Sequence, residues 1–294
     1  MLTIYRSNRA EWLAELLGQE LRINPPEITE EVNIIVSTWP SSRWLSEKIS
    51  TVNNINALVK YPFPGTYLKK LVKRIIGVDP NEKDPWEKNH LVWNILEILP
   101  ELIKREEAHL IKPWIEKSKE ENEQININLW ELANTIAEIF DDYILYRPDI
   151  IKQWSSNKEE TLSRGININK NVLWQKTLFQ LLNEKIKKDP FCLQVEKAIK
   201  ILKNDNVSNL DYPKNLYIYG LSSLAPLQID LIQAISKVIN IKIYLISPCN
   251  DLWQRCEARR LEYVNTWNTP PDRHWLLESP RLEAFLGRMG AEFQ

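Results

Sequence analysis

The chain has 294 residues and a mass of 34.7 kDa, room for about two domains of roughly 150 residues, which excludes a miniprotein that needs covalent staples. Thirty-eight Lys and Arg against 39 Asp and Glu leave a net charge of −1, which excludes a generally basic nucleic-acid coat and confines any polyanion contact to a local stripe. Three cysteines, Cys192, Cys249 and Cys256, form no C-x-x-C pair, so no disulfide framework or zinc knuckle is written and a reducing compartment is expected.

The opening Met1-Leu-Thr-Ile-Tyr5-Arg6 lacks a signal peptide's basic start and apolar run, and no stretch approaches the ~20 apolar residues of a membrane span. The expected place is the cytoplasm, with no membrane partner. Leu2–Tyr5 and Asn33–Ser37 read as strands, short and rich in Ile, Val and Tyr, with a helix over Asn8–Glu20 between them. A second pair, Leu216–Tyr219 and Ile241–Ile246, encloses a helix starting near Pro226 whose Leu227, Leu231, Ile232, Ala234, Ile235 and Val238 keep helical spacing. So short a crossover predicts a right-handed β-α-β unit with parallel strands; the first pair predicts another of the same kind in the same sheet. Nearly continuous apolarity predicts strands covered on both faces.

Between the pairs, helical patterns recur at Tyr67–Ile76, Trp86–Leu99, Leu129–Tyr146 and Val172–Ile186, broken by polar runs at Lys117–Gln124 and Ser155–Asn169, and Lys203–Lys214 returns the chain to the sheet. The expected architecture is α/β: a discontinuous domain of residues 1–60 and 207–294 with an all-helical insertion at 61–206. The last segment, Asp251–Gln294, ends in a helix-like run Pro280–Met289 without the strands of a complete open sheet, as expected of an incomplete fragment.

In an α/β nucleoside triphosphatase, phosphate sits after a strand and before a helix. Here that slot reads Val36-Ser37-Thr38-Trp39-Pro40-Ser41-Ser42-Arg43-Trp44-Leu45, and no G-x-x-x-x-G-K-[ST] occurs anywhere. Glycines that wrap phosphates in backbone N–H groups, a lysine for the terminal phosphate and a hydroxyl for Mg²⁺ are all required, and Trp39 and Pro40 supply none of them. Two readings of the slot stand: Trp39, Arg43 and Trp44 present an aromatic face and a cation to an unstacked base, or Pro40 and the serines start a helix whose Trp44 and Leu45 face the core. The same choice applies to all 12 tryptophans, a packing signal first and a stacking signal second. Only 7 glycines favour helix and starve phosphate loops.

Leu129–Tyr146 carries an apolar stripe of Leu129, Leu132, Ala133, Ile136, Ala137, Phe140, Tyr143 and Ile144, and stops at Arg147-Pro148. Its outer face collects Glu138, Asp141 and Asp142, which repel one another and call for solvation or a partner. A solvated face is one reading; carboxylates that accept from base amino groups, with Arg147 donating to a base edge or phosphate, is the other. A metal site lacks further ligands of suitable type nearby. Asp79-Pro-Asn-Glu82-Lys83 has an acidic-lysine look but lies in a Pro-rich loop with no strand to align it, and His90, His109 and His274 lack a hydrolase context.

With these segments placed, the chain resembles the RecC family, the gamma subunits of exodeoxyribonuclease V in the bacterial RecBCD helicase–nuclease. The residues that carry the likeness are Met1-Leu-Thr-Ile-Tyr5-Arg-Ser7-Asn8-Arg9, Trp44-Leu45, Tyr61-Pro62-Phe63-Pro64, Trp93 and Leu99-Pro100. The run Phe140-Asp-Asp142-Tyr-Ile-Leu-Tyr146-Arg147-Pro-Asp149 with Gln153-Trp154 is specific, and Ile218-Tyr-Gly220-Leu-Ser222, Pro226 and Ser247-Pro-Cys249 follow in order. Family members are several times longer, so the likeness is to an N-terminal portion.

The resemblance implies a superfamily-1 helicase-like sheet, derived from a P-loop fold and inactivated, with a helical insertion. It implies a non-catalytic subunit of an ATP-dependent helicase–exonuclease acting in double-strand-break repair and homologous recombination. Such a subunit clamps RecB-like and RecD-like partners in a heterotrimer, splits duplex DNA and scans one single strand for the Chi sequence. ATP and Mg²⁺ then belong to the partners, with no cofactor in this chain. The implied DNA-binding positions are Ser37, Trp39, Arg43, Phe63 and Lys69 on the loop side, and Glu138, Ile139, Asp141, Asp142 and Arg147 on the helix. Asp141 and Arg147 match the family pattern and Phe63 is apolar as it requires; Ser37, Trp39, Arg43 and Lys69 depart from it. An autonomous nucleotide-dependent helicase or nuclease with a divergent site is the alternative.

Overall fold

The computed structural model describes residues 1–27, 30–113, 127–156, 173–203, 213–221 and 223–247. The run Pro280–Met289, the polar run Lys117–Gln124, most of Ser155–Asn169 and Lys203–Lys214, Cys249, Cys256 and His274 lie outside the described residues. The chain divides into two compact units, Met1–Leu71 with Ile201–Gln294, and Val72–Lys200.

The first unit holds β1 (Leu2–Ser7), α1 (Ala10–Ile23), β2 (Val32–Val36), α2 (Trp39–Asn53), β3 (Val59–Lys60) and the start of α3 (Pro64–Ile75), then β4 (Asn215–Tyr219), α9 (Pro226–Ile235) and β5 (Asn240–Ile246). All five strands are parallel, in the order β1-β5-β4-β2-β3. The four expected strands are present within a residue or two, β4 and β5 pair directly across α9, and both halves share one sheet. The first β-α-β unit differs from expectation: β1 and β2 are not neighbours, because β5 and β4 lie between them. The physical reason is solvation. Strands β4 and β5 are buried along most of their length on both faces and take inner positions, whereas β1, with Leu2 and Arg6 exposed, tolerates an edge. Strand β3, two residues long, carries no alternating pattern to be read.

One face of the sheet presents Val32, Ile34, Val36, Tyr217, Tyr219 and Tyr244 to Leu13, Ala14, Leu17 and Leu21 of α1 and Leu45 and Ile49 of α2. By alternation Ile35, Ile218 and Ile243 point to the other face, and all three are buried. A right-handed crossover from β4 to β5 runs opposite in direction to that from β2 to β3, so it places α9 on this second face. The N-terminal ammonium of Met1 donates to the Ser236 carbonyl at 2.5 Å, and Lys242 of β5 pairs with Glu20 of α1, holding that carboxyl below its ordinary range chiefly through the hydrogen bond.

The second unit contains the end of α3, α4 (Lys88–Leu102), a 3-10 turn at Glu106–Ala108, α5 (Ile127–Tyr146), α6 (Pro148–Ser156), α7 (Leu173–Ile186) and most of α8 (Phe191–Lys203). Its core is aromatic: Phe140 lies 6.3 Å from both Trp154 and Phe179, and Trp86 stacks on Phe179 at 5.2 Å while its indole N–H donates to the Lys188 carbonyl. Two helices go unread in the sequence pattern. Pro148, which ends α5, also opens α6, since proline is suited to a first helical turn. The apolar residues of α8, Phe191, Cys192, Val195, Ala198 and Leu202, do keep helical spacing.

Helix α1 packs on α2 at Gly18, where an added Cβ would lie 3.1 Å from Cβ and Cγ1 of Val52. The Val52 Cβ cannot rotate away, so the helices must part. Gly18→Ala should lower stability by about 1 kcal/mol net, overpacking outweighing the gain in helix propensity. Chemical denaturation checks this, and Gly18→Ala should cost less in a Val52→Gly background than in the wild type, because the clashing Cβ is then gone.

Candidate nucleic-acid interface

Strand β2 has β3 on one side and β4 on the other, so the chain direction across the sheet reverses there, and the crevice beyond the carboxyl ends of β2 and β4 is the usual ligand position in an open α/β sheet. The turn Ser37-Thr38 and the left-handed Gly220 (φ +63°) follow those two strand ends. The turn caps its own helix. The Thr38 hydroxyl accepts from the Ser41 N–H at 3.3 Å, the Thr38 carbonyl accepts from the Ser42 N–H at 3.2 Å, and Pro40 has no N–H. The Ser42 hydroxyl donates to the Trp39 carbonyl at 2.7 Å. The Ser41 and Ser42 N–H groups are thus engaged within the turn, Pro40 offers none, and the turn contains neither the glycines nor the lysine with which a P-loop holds a triphosphate.

The two readings of this slot divide by residue. Leu45 is fully buried and Trp44 packs half-buried against the core, 6.2 Å from Tyr219. Trp39 is 61% exposed, and the guanidinium carbon of exposed Arg43, one helical turn on, lies 4.7 Å over its ring. The indole thus carries a cation on one face and presents open aromatic surface beside it. Ser37 is exposed as well. Phe63, 43% exposed, is brought to the same strand end because the Val36 N–H donates to the Pro62 carbonyl at 3.2 Å. The loop that delivers it is pinned to α2 by the Asn56 amide, which donates to the Ser46 hydroxyl at 2.6 Å and to the Tyr61 hydroxyl at 2.9 Å. Lys69 lies half-buried on α3 and is engaged in an interaction of its own.

In the second unit, α5 buries Ala133, Ile136, Ala137, Phe140 and Ile144, with Leu129, Leu132, Ile139 and Tyr143 half-buried. Glu138, Asp141 and Asp142 face outward. They are not left merely to solvent: Glu138 forms an ion pair with Lys88 of α4, and Asp141 also has a partner. Arg147, between α5 and α6, is held by Asp149. Its Nε–H donates to Oδ1 at 3.1 Å and its Nη2–H to Oδ2 at 3.0 Å. That hydrogen bonding raises the Arg147 pKa further and keeps the Asp149 carboxyl below the ordinary carboxylate range. The acidic loop at Asp79 is a turn: Asp79 accepts from the Asn81 N–H, and Glu82 pairs with Lys188.

The sequence matches the model of the RecC N-terminal domain over residues 2–294. The chain belongs to the RecC family. It is 24% identical over 284 residues to the RecBCD enzyme subunit RecC of Haemophilus influenzae, covering 90% of this chain and 25% of that protein. It is 26% identical over 261 residues to the subunit of the same name from Escherichia coli, covering 86% and 22%, and 24% identical over 268 residues to that of Mycolicibacterium smegmatis, covering 88% and 22%. The chain thus spans about a quarter of the length of the curated relatives it matches.

Sequence reasoning passed over Lys88 and Asp149, which engage Glu138 and Arg147. Asp149 had a readable signal, two residues beyond Arg147 across a proline; Lys88 had none, because 50 residues separate it from Glu138. It also ranked packing first for every tryptophan. Among the described residues Trp86 and Trp154 fit that, while Trp12, Trp39, Trp93 and Trp130 are at least one-third exposed. No helix among the described residues is long and apolar enough to cross a membrane.

Because the Asp149 pKa is lowered in the folded chain, its contribution is complete above the unfolded-state value of about 3.9 and disappears as pH falls through the lower folded value. The stability difference between the wild type and Asp149→Asn should be constant near neutrality and shrink as the pH falls through and below the ordinary carboxylate range, read from urea midpoints across the acid range.

Proposed function

We propose that this chain is the N-terminal part of a non-catalytic subunit of an exodeoxyribonuclease V-type helicase–nuclease in double-strand-break repair and homologous recombination, and that it contacts a DNA single strand. The observation that carries the reading is the Trp39–Arg43 pair, an exposed indole with a guanidinium over it on the first turn of a helix at a sheet's ligand crevice. Stacking reads any base, and the adjacent cation suits the phosphate that follows it. Family membership supports RecB-like and RecD-like partners in a heterotrimer, with ATP and Mg²⁺ used by those partners. The self-capped turn at Thr38 supports a superfamily-1 helicase-like domain at 1–60 and 207–294 that has lost its triphosphate cradle, with 61–206 as the helical insertion. Double-stranded DNA is split by the assembled complex in this reading.

The residues proposed to contact the strand are Ser37, Trp39, Arg43, Phe63 and Lys69 in the first unit and, separately, Glu138, Ile139, Asp141, Asp142 and Arg147 in the second. Since Ser37, Trp39, Arg43 and Lys69 depart from the family pattern, the set of bases they can hydrogen-bond changes, and the strand path is kept while the sequence scanned differs from Chi.

Trp39→Ala and Arg43→Ala should each weaken single-strand binding, the first by about ten-fold or more as expected for loss of one base stack. The Arg43 variant should also reduce the steepness of the salt dependence by about one phosphate contact. Fluorescence anisotropy with labelled strands over a salt series measures both; unchanged affinity in both variants would sink the reading. Robust ATP hydrolysis by the isolated chain would instead favour an autonomous nucleotide-dependent enzyme.

A further inference from the structure

We infer that the outer face of α3 is a phosphate track, on which Lys70 and Arg74 hold successive phosphates of the single strand whose bases stack at Trp39 and Phe63. This extends the single-strand reading to a further element and rests on it. Charge is segregated along this part of the sequence: residues 48–78 contain no Asp or Glu but six cations, in a chain whose net charge is −1. Four of the six have protein partners. Lys48 lies over the Trp44 ring at 5.9 Å, Lys60 pairs with Glu31 at 2.7 Å, the buried Lys73 ammonium donates to the Glu82 carbonyl at 2.5 Å, and Lys69 is engaged as well. The two left are Lys70 and Arg74, both exposed and neither paired with a carboxylate among the described residues.

Helical geometry puts both cations on the line that starts at the crevice. Leu68, Leu71, Val72 and Ile75 are buried on one side of α3, while Phe63, Thr66, Lys70 and Arg74 recur at three- and four-residue spacing on the exposed side. Phe63 heads that line, its carbonyl accepting from the Tyr67 N–H at 3.0 Å, and the helix start is open, since an added Cβ at Gly65 would meet nothing within 4 Å. Lys70 and Arg74 stand one turn apart, about 6 Å along one continuous helix, a spacing like that of successive phosphates in an extended strand. Like charges at i and i+4 repel, and the helix dipole favours a cation only in the last turn, which covers Arg74 but not Lys70. Elsewhere lysines stand beside carboxylates, as in Lys88–Glu138, Lys152–Glu196 and Lys188–Glu82, so a bare pair departs from the pattern of this chain. A polyanion supplies the missing counter-charge. The ligand is phosphate and not a base edge, because an ammonium is a point charge with no plane to match to a base.

The test uses the 294-residue chain and a labelled oligothymidine strand, read by fluorescence anisotropy over a salt series. Lys70→Gln and Arg74→Gln should each weaken binding about five-fold at low salt and each lower the slope of log K against log salt by about 0.7, as expected for one single-strand phosphate. Trp39→Ala should weaken binding with the slope unchanged, because stacking releases no counterions. Lys237→Gln removes one exposed charge before the amino end of β5, at the opposite edge of the sheet from the crevice, and should change neither. A methylphosphonate strand, with the same bases and no backbone charge, should bind wild type and the Lys70→Gln, Arg74→Gln double variant alike; a preference for wild type there would overturn the assignment to phosphate. If Lys237→Gln flattens the slope as much as Lys70→Gln does, net charge is responsible and the track falls. If Trp39→Ala weakens binding while the double variant keeps wild-type affinity and slope, α3 lies off the strand path and the single-strand reading stands without it. Should Trp39→Ala, Arg43→Ala and the double variant all bind as wild type does, the reading itself fails and the inference fails with it.

Discussion

A parallel sheet cannot be closed by hairpins, and that constraint organises the first unit. Each strand needs a crossover, and the partners of the opening strand come from the far end of the described chain: Leu2 lies beside Ile241 and Ser7 beside Ile246. The sheet is complete only once residues more than 200 positions apart have met. The Met1 ammonium on the Ser236 carbonyl and the Lys242–Glu20 pair secure the meeting at the edge, while the tyrosines Tyr5, Tyr219 and Tyr244 stack across adjacent strands inside it.

That same reversal around β2 creates the crevice where an α/β protein holds its ligand, and the chemistry of the turn there decides which ligand is possible. Thr38 engages the Ser41 and Ser42 N–H groups, Pro40 has none, and no glycine or lysine stands in the turn. With the helix end closed, the chemically available groups are side chains one turn further along, the Trp39 ring and the Arg43 guanidinium. Their chemistry suits a stacked base and its phosphate, the ligand proposed above, better than a nucleotide's phosphate chain.

The second unit makes its contribution through rigidity. Its aromatic core, Phe140, Trp154, Phe179 and Trp86, holds α5 by its apolar stripe and leaves the opposite face to charges that are arranged in pairs. Lys88 on Glu138 and Asp149 on Arg147 are exposed pairs, so their effect on folding is small.

The amino-acid sequence by itself determined the strands, the parallel pairing of β4 with β5, the helical character of the middle of the chain and the membership of a family, because hydrophobic period and short crossovers are local or nearly local properties. It also carried the Asp149 signal, two residues from its partner. Only the tertiary structure decided that β1 pairs with β5 and not with β2, that Trp44 is a packing residue while Trp39 faces solvent, and that Lys88 meets Glu138. Strand order and ion pairing depend on which distant surfaces remain uncovered once the core has formed, and a one-dimensional pattern holds no record of that competition.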